Sequence, residues 1–331
     1  MKLTNEQIRC ITTGTVYIEE TEKGLAFHRF SKEQEEFFAG GNKYFQDDFF
    51  TKEFGGCYFG FMAKSTAGVT FDFYTDAKNL FVEIGELILP ANAEVQNFDI
   101  YVNEKHKLTC AANENIELTI QKGQKRVTVY FPWGNYPIVK GVDLDGATYC
   151  TAVGGETDVL CIGDSITHGG NSNHPAITWV TVMARKLGVR VINQGLCGFV
   201  NDAGCVAKVC DPKVVITAYG VNDYGRKTHE QMEEDTDAFI KKVKECYPNA
   251  KVCSILPIWT AWNTDPGNWF EDKRAILKSV YEKNGVHIID GMKMVPHDTK
   301  YMADGVVHPN EAGFVYYGGR VAKIVNEYIK K

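Results

Sequence analysis

The stretch that decides the fold is Asp158-Val159-Leu160-Cys161-Ile162-Gly163-Asp164-Ser165-Ile166-Thr167. Asp158–Ile162 reads as a compact apolar strand, and Gly163-Asp164-Ser165 turns the chain sharply after it. A serine at a strand-to-helix turn presents its Oγ above the sheet, where the N–H groups of the turn also point. That suits a nucleophile attacking a carbonyl. Taken alone, the same tripeptide is equally a helix-capping turn.

Downstream, strands and helices alternate. Thr178–Leu187 is a helix, and Val189–Ile192 and Val214–Ala218 are strands. Thr228–Cys246 is a helix opened by the capping-box pair Thr228 and Gln231. Val252–Leu256 (strand), Asn268–Lys283 (helix) and His287–Ile289 (strand) follow. A last helix after Asn310 carries the stripe Phe314, Tyr317, Val321, Ile324 and Tyr328. This order implies a parallel, doubly wound α/β sheet with helices on both faces, whose ligands sit beyond the carboxyl ends of its strands.

Upstream, the period changes to two. Val69, Phe71 and Phe73 alternate with polar or outward residues, as do Leu80, Val82 and Ile84. Phe98, Ile100 and Val102 follow, then Ile116, Leu118 and Ile120, then Val127, Val129 and Phe131. Turns fall at Thr75–Asn79, Asn103–His106 and Lys122–Gln124. Many short strands predict an all-β sandwich, jelly-roll-like, over residues 1–155, ahead of a catalytic unit at 156–331. Glu33–Phe54 is polar and aromatic, expected as a short helix and a long loop over one end of the sandwich.

Four strand ends of the second half carry chemistry. Ser165 follows the first. The second runs into Asn193-Gln194-Gly195-Leu196-Cys197-Gly198, whose glycines let backbone approach a ligand. The third ends in Gly220-Val221-Asn222-Asp223, where an amide could face a developing oxyanion. Near the C-terminus stands Asp304-Gly305-Val306-Val307-His308-Pro309-Asn310, a loop histidine with an aspartate close by. Each alone also reads as ordinary loop chemistry.

Together and in this order the four blocks resemble the SGNH, or GDSL, hydrolase superfamily over about residues 156–331. The resemblance implies a flavodoxin-like sheet and ester hydrolysis through an acyl-enzyme. By it, Ser165 is the nucleophile and His308 the general base. The Ser165 and Gly198 N–H groups and the Asn222 amide would form the oxyanion hole. No cofactor and no metal are implied, and the histidines show no ligand spacing such as H-E-x-x-H. One departure stands out: the family spaces its acid as D-x-x-H, whereas Asp304 lies four residues before His308. Either the loop bulges at Gly305 and Asp304 completes a triad, or a backbone carbonyl assists a Ser–His dyad. The triad is expected.

A sandwich ahead of such a domain also resembles the two-domain carbohydrate acetyl esterases of carbohydrate esterase family 2. Trp259, Trp262 and Trp269, three of the five tryptophans, fall within eleven residues after the fourth strand. Indole faces stack on sugar rings, so Trp259 and Trp262 are candidate substrate-binding residues; the alternative is that they pack the two halves together. The loop His168–Ile177 is polar, small and expected to be flexible, which favours a small acyl group. The leading expectation is a carbohydrate O-acetyl esterase. The alternatives are a lipid-directed esterase, lysophospholipase or thioesterase on the same fold, and a carbohydrate-binding protein with a vestigial hydrolase domain.

Composition bounds the rest. The chain has 331 residues, 44% hydrophobic and 24% charged, with net charge −6, which disfavours nucleic acid as a partner. No apolar run reaches membrane-spanning length, and Met1–Gly14 does not read as a signal peptide. The ten cysteines form no C-x-x-C pair. They are expected as reduced core residues of a cytoplasmic protein. The expected ligand is a small or oligosaccharide ester; the oligomeric state is not legible in the sequence.

Overall fold

The structure, a computed structural model, describes residues 1–40, 44, 58–90, 93–264 and 270–330. Its first part is a sandwich of two antiparallel sheets. One runs in the order Thr12–Thr13, Thr70–Thr75, Lys125–Tyr130, Asn97–Val102, Lys105–Ala111, with Cys150–Ala152 sharing an edge of Thr70–Thr75. The other runs Tyr17–Thr21, Gly24–His28, Tyr136–Asp145, Asn79–Ile88, Ile116–Thr119. The alternating residues of the sequence pattern meet between them. Val69, Phe71, Phe73, Phe98, Ile100, Val127, Val129 and Phe131 face Leu25, Phe27, Leu80, Val82 and Val142 in one buried cluster. Aromatic edges lock it: Phe71 and Phe27 lie 4.8 and 5.3 Å from Phe131, centroid to centroid, both in T-shaped contact.

The second part is a five-stranded parallel sheet in the order Val191–Gly195, Val159–Gly163, Val214–Ala218, Lys251–Ile255, His287–Ile289. Numbered along the chain, that is 2-1-3-4-5, the flavodoxin-like order, whose switch point lies between the first and third strands. Period two explains how one strand serves two cores. Leu160 and Ile162 pack on one face with Met232, Phe239, Ile240 and Val243 of the helix His229–Cys246. Val159 and Cys161 pack on the other with Val180 and Met183 of Trp179–Leu187 and with Phe314, Tyr317, Val321 and Val325 of Glu311–Ile329.

Several sequence expectations change. The turn expected over Asn103–His106 is only Asn103 and Glu104, both at positive φ (49° and 64°), so His106 already belongs to a strand. The second parallel strand begins two residues later than read and ends at Gly195. In Glu33–Phe54, the described part is a helix, Lys32–Ala39, capped by Ser31 and Gln34; residues 41–43 and 45–54 lie outside the described residues. One side of that helix meets the sandwich, where Glu35 accepts from Tyr17 Oη at 3.0 Å and pairs with His28 Nδ1 at 2.7 Å; the other side turns to the parallel sheet. Phe38 joins Phe30, Tyr58, Phe59 and Met62 in the core of the parallel sheet, against Leu196 and Phe199, because these aromatic side chains find an apolar sheet face there. No helix among the described residues is long and apolar enough to cross a membrane.

Candidate active site

Strand one delivers Ser165 through a turn with no slack. A Cβ at Gly163 would stand 2.3 Å from Thr167 Oγ1 and 2.6 Å from the Ala218 carbonyl, so only glycine fits. Asp164 caps the following helical turn, Ser165–His168, by accepting the Ile166 N–H at 3.0 Å. Its carboxyl is fully buried, and that burial pushes its pKa up to about 7 against the pull of the Ile166 N–H and of His308.

Ser165 Oγ lies 2.8 Å from His308 Nε2. On the far side of the ring, His308 Nδ1–H donates to Asp304 Oδ2 at 2.6 Å. The other oxygen, Oδ1, accepts the N–H groups of Val306 (2.8 Å), Val307 (2.8 Å) and His308 (3.1 Å). Gly305, at φ 71°, absorbs the extra residue of the D-x-x-x-H spacing. Burial alone would raise the Asp304 pKa. The bonds from the His308 ring and from the Val306 and Val307 backbone outweigh it and hold the carboxyl well below the usual range. Asp304 is therefore an anion beside the imidazole at any working pH.

The second and third strands flank the first in the sheet, and the loops after them are tied to one another. Gly198 sits at φ 78°. Asn222 Nδ2 donates to the carbonyl of Phe199, the next residue along, at 3.0 Å. The amide of the third strand end is thereby tied to the loop after the second, and its other N–H has no acceptor among the described residues. A Cβ at Gly170 would stand 3.5 Å from both Ser165 Cβ and His308 Cδ2. Next to it, Asn171 lines a cavity of about 350 Å³ shared with Trp133, Tyr58, Gln96, Asn97 and Asn135 of the sandwich half.

The two candidate tryptophans part company. Trp262 is 43% exposed and lies parallel to Tyr224, 6.4 Å away. Trp259 is not a platform: it is 6% exposed and stacked on His297 at 5.6 Å. Its contacts lie in the core of the second half, so it does not join the two halves either. Trp133 does that, edge-on to His168 at 5.4 Å and donating its indole N–H to Ser172 O at 2.8 Å. A lone Trp at the end of a sandwich strand gave no sequence signal of this. Trp269 lies outside the described residues.

The loop His168–Ile177 is held at many points, contrary to the expected flexibility. The fully buried Asp99 accepts from His174 Nδ1 (3.1 Å) and the Ala176 N–H (3.2 Å). Asn97 and Trp133 donate to the carbonyls of Asn173 and Ser172, and Glu311 accepts the Asn173 N–H. A polar loop looks mobile in sequence because its acceptors Asp99 and Glu311 lie more than seventy residues away.

A serine turn at the switch point of a parallel sheet, facing an imidazole and a carboxylate, defines a carboxylic ester hydrolase. Residues 161–314, within the parallel-sheet half, match the model of the GDSL-like Lipase/Acylhydrolase family, so this half is similar to the GDSL, or SGNH, group. Among solved structures the chain is similar to the salicylyl-acyltransferase SsfX3 from a tetracycline biosynthetic pathway, with TM-score 0.74, 19% identity, and 95% of this chain and 94% of that one covered. It is also similar to a protein of Bacteroides ovatus assigned as a GDSL-like lipase (TM-score 0.71, 16% identity, 100% and 98% covered). A third is a carbohydrate esterase family 2 enzyme with a carbohydrate-binding domain from Corynascus thermopiles (Myceliophthora fergusii), at TM-score 0.62, 17% identity, 81% and 95% covered. No curated protein sequence matches the chain.

Proposed function

We propose that this protein is an esterase that removes small acyl groups, acetyl above all, from carbohydrates through a Ser165 acyl-enzyme. The observation that carries the reading is the unbroken line from Ser165 Oγ through the His308 ring to Asp304, at 2.8 and 2.6 Å. His308 Nε2 takes the serine proton as Oγ attacks the ester carbonyl, and the Asp304 anion stabilises the imidazolium that forms. The Ser165 and Gly198 N–H groups and the Asn222 amide receive the oxyanion, each worth about 3 kcal/mol in the transition state. The Nε2 proton then goes to the leaving alcohol, and water, deprotonated by the same nitrogen, releases the acid.

The choice of alcohol rests on the surroundings. The cavity beside Gly170 and Asn171 combines aromatic faces with side-chain amides, a lining suited to hydroxyl-rich ligands, and Trp262 offers a further indole face. The likeness to the family 2 carbohydrate esterase agrees with this reading. We take residues 1–155 and 156–331 as its two units, in a cytoplasmic setting on the cysteine usage. A second reading, transfer of the acyl group to an alcohol rather than to water, draws on the nearly whole-chain likeness to the acyltransferase. The test is acetate release from acetylated xylo-, manno- and gluco-oligosaccharides, with and without added unacetylated sugar. Acetate released in proportion to ester consumed supports hydrolysis. Acetylated acceptor in place of acetate supports transfer, and no reaction on any acetylated sugar rejects the carbohydrate reading.

A further inference from the structure

Three buried groups outside the Ser–His–Asp line form one connected unit beneath it. Arg29, at the end of the sandwich strand Gly24–His28, is 0% exposed. Among the described residues it has no carboxylate hydrogen-bond partner. Its Nε donates to Ser65 O at 2.8 Å. Nη1 donates to the carbonyls of Asn193 (2.8 Å) and Gly195 (2.6 Å), at the end of the second parallel strand. Nη2 donates to Met62 O at 2.8 Å and to Ser65 Oγ at 3.3 Å, and it stands 3.0 Å from His168 Nε2 without a hydrogen bond, since that nitrogen carries the ring proton. A buried cation spent almost wholly on backbone carbonyls of two separate segments fixes their relative position.

His168, three residues after Ser165, is also 0% exposed. Its Nδ1 accepts the Cys197 N–H at 3.1 Å. That bond requires a bare Nδ1, so the proton sits on Nε2, which donates to Ser65 Oγ at 2.8 Å. Ser65 in turn donates to Met62 O at 2.6 Å. A cationic imidazole would carry a proton on Nδ1 and break the bond to Cys197. Burial first, and then the Arg29 charge, pushes His168 far below the ordinary imidazole range. The Cys197 N–H precedes the N–H of Gly198 by one peptide. Whatever fixes the first limits the rotation of the second.

We infer that His168 is a positioning residue for the oxyanion loop: its neutral ring, held in one tautomer by Ser65 of the sandwich half at Nε2 and by the Cys197 N–H at Nδ1, aims the Gly198 N–H through the bond from Cys197. The inference rests on the esterase reading above and deepens it. It makes the sandwich a structural part of the catalytic centre, since Arg29 and Ser65 both come from that half. Its consequence is a division between the two ring nitrogens. Asparagine places an acceptor near the Nδ1 position and glutamine a polar group near Nε2, so the two amides test the two contacts separately.

The experiment measures kcat and KM on 4-nitrophenyl acetate, with thermal midpoints, for the full-length wild type, His168→Asn, His168→Gln and Ser165→Ala. His168→Gln is expected to lose about a hundredfold in kcat, the scale of one displaced oxyanion donor, with KM within about threefold. His168→Asn is expected to recover at least tenfold of that loss at a similar thermal midpoint. Equal kcat for the two amides, or losses that follow the thermal midpoint alone, overturns the inference. Ser165→Ala separates the two levels. If it keeps wild-type turnover, the esterase reading fails on its own account, whatever the His168 pair shows.

Discussion

Asp304 divides its carboxylate between two tasks. Oδ1 gathers three backbone N–H groups of its own loop, and Oδ2 receives the His308 ring. The sequence left open whether this aspartate or a backbone carbonyl meets the His308 ring; Oδ2 meets it, and Oδ1 braces the loop. Asp304→Asn can keep the loop bonds through its amide oxygen while losing the charge. The expected result is a fall in kcat of about three to four orders of magnitude on 4-nitrophenyl acetate; a loss of tenfold or less would leave Asp304 a loop brace. Asp164 supplies a stability prediction. Burial raises its folded-state pKa from an ordinary 3.8 to about 7, so the folded state binds the proton more tightly than the unfolded chain. The penalty is absent below about pH 4, grows as the pH rises to about 7 and is constant above. Asp164→Asn keeps the cap and removes the penalty. The gain in unfolding free energy over wild type should therefore be larger at pH 8 than at pH 4, by roughly 4 kcal/mol at most. A pH-independent difference in urea unfolding would contradict it. The tryptophans show what a sequence withholds at this scale. Trp259 and Trp262 sit in the same short run, but His297 covers one and solvent meets the other. That difference is set by a residue thirty-eight positions away.

At the scale of elements, legibility followed how evenly each strand alternates. Thr70–Thr75 and Asn97–Val102 alternate apolar with polar or tyrosine residues and read clearly, although both of their faces are largely buried. Tyr136–Asp145 was missed because register shifts at Ile138–Val139 and Val139–Gly141 break its period of two. Lys105–Ala111 was missed because it is an edge strand with three exposed residues at its start. Helices with caps were read nearly to the residue: Thr228 with Gln231, and Asn310, cap as the pattern implied. The junction of strand and serine turn is rigid in both directions. A Cβ at Gly195 would stand 2.2 Å from the His168 N and 2.5 Å from the Thr167 carbonyl carbon, with backbone on both sides and nowhere to move. Gly195→Ala is expected to lower yield of folded protein sharply, with an unfolding free energy reduced by about 3 kcal/mol or more; a soluble variant with wild-type stability would contradict that packing. The loop beside the nucleophile depends on Asp99, which also accepts from Thr109 Oγ1 at 2.6 Å. Asp99→Ala should cost about 2–3 kcal/mol, by leaving buried donors unpaired, and raise amide exchange across residues 173–177. Unchanged exchange there would mean the sandwich does not hold the loop.

Across the whole molecule, the period change near residue 155 was readable, but the joining of the two halves was not. It depends on single residues without a motif, Arg29, Trp133 and Asp99, and on an aromatic set, Phe30, Phe38, Tyr58 and Phe59, buried in the core of the parallel sheet. A fragment of residues 156–331 would bare that apolar face and leave the carbonyls of Asn193 and Gly195 without Arg29. It is expected to aggregate or stay inactive when refolded. A monomeric, fully active fragment by light scattering and ester assay would show that the halves are independent. The polar loop His168–Ile177 after Ser165 predicts that nitrophenyl acetate outperforms the butyrate and that the octanoate is nearly inert; kcat/KM rising with chain length would move the substrate to lipids. The central claim, an acyl-enzyme on Ser165, is tested most directly by intact-mass and peptide mapping after reaction with a fluorophosphonate ester probe. The expected result is one probe per chain on Ser165, loss of esterase activity in step with labelling, and no labelling of Ser165→Ala. Labelling at another residue, or full turnover by Ser165→Ala, would contradict it.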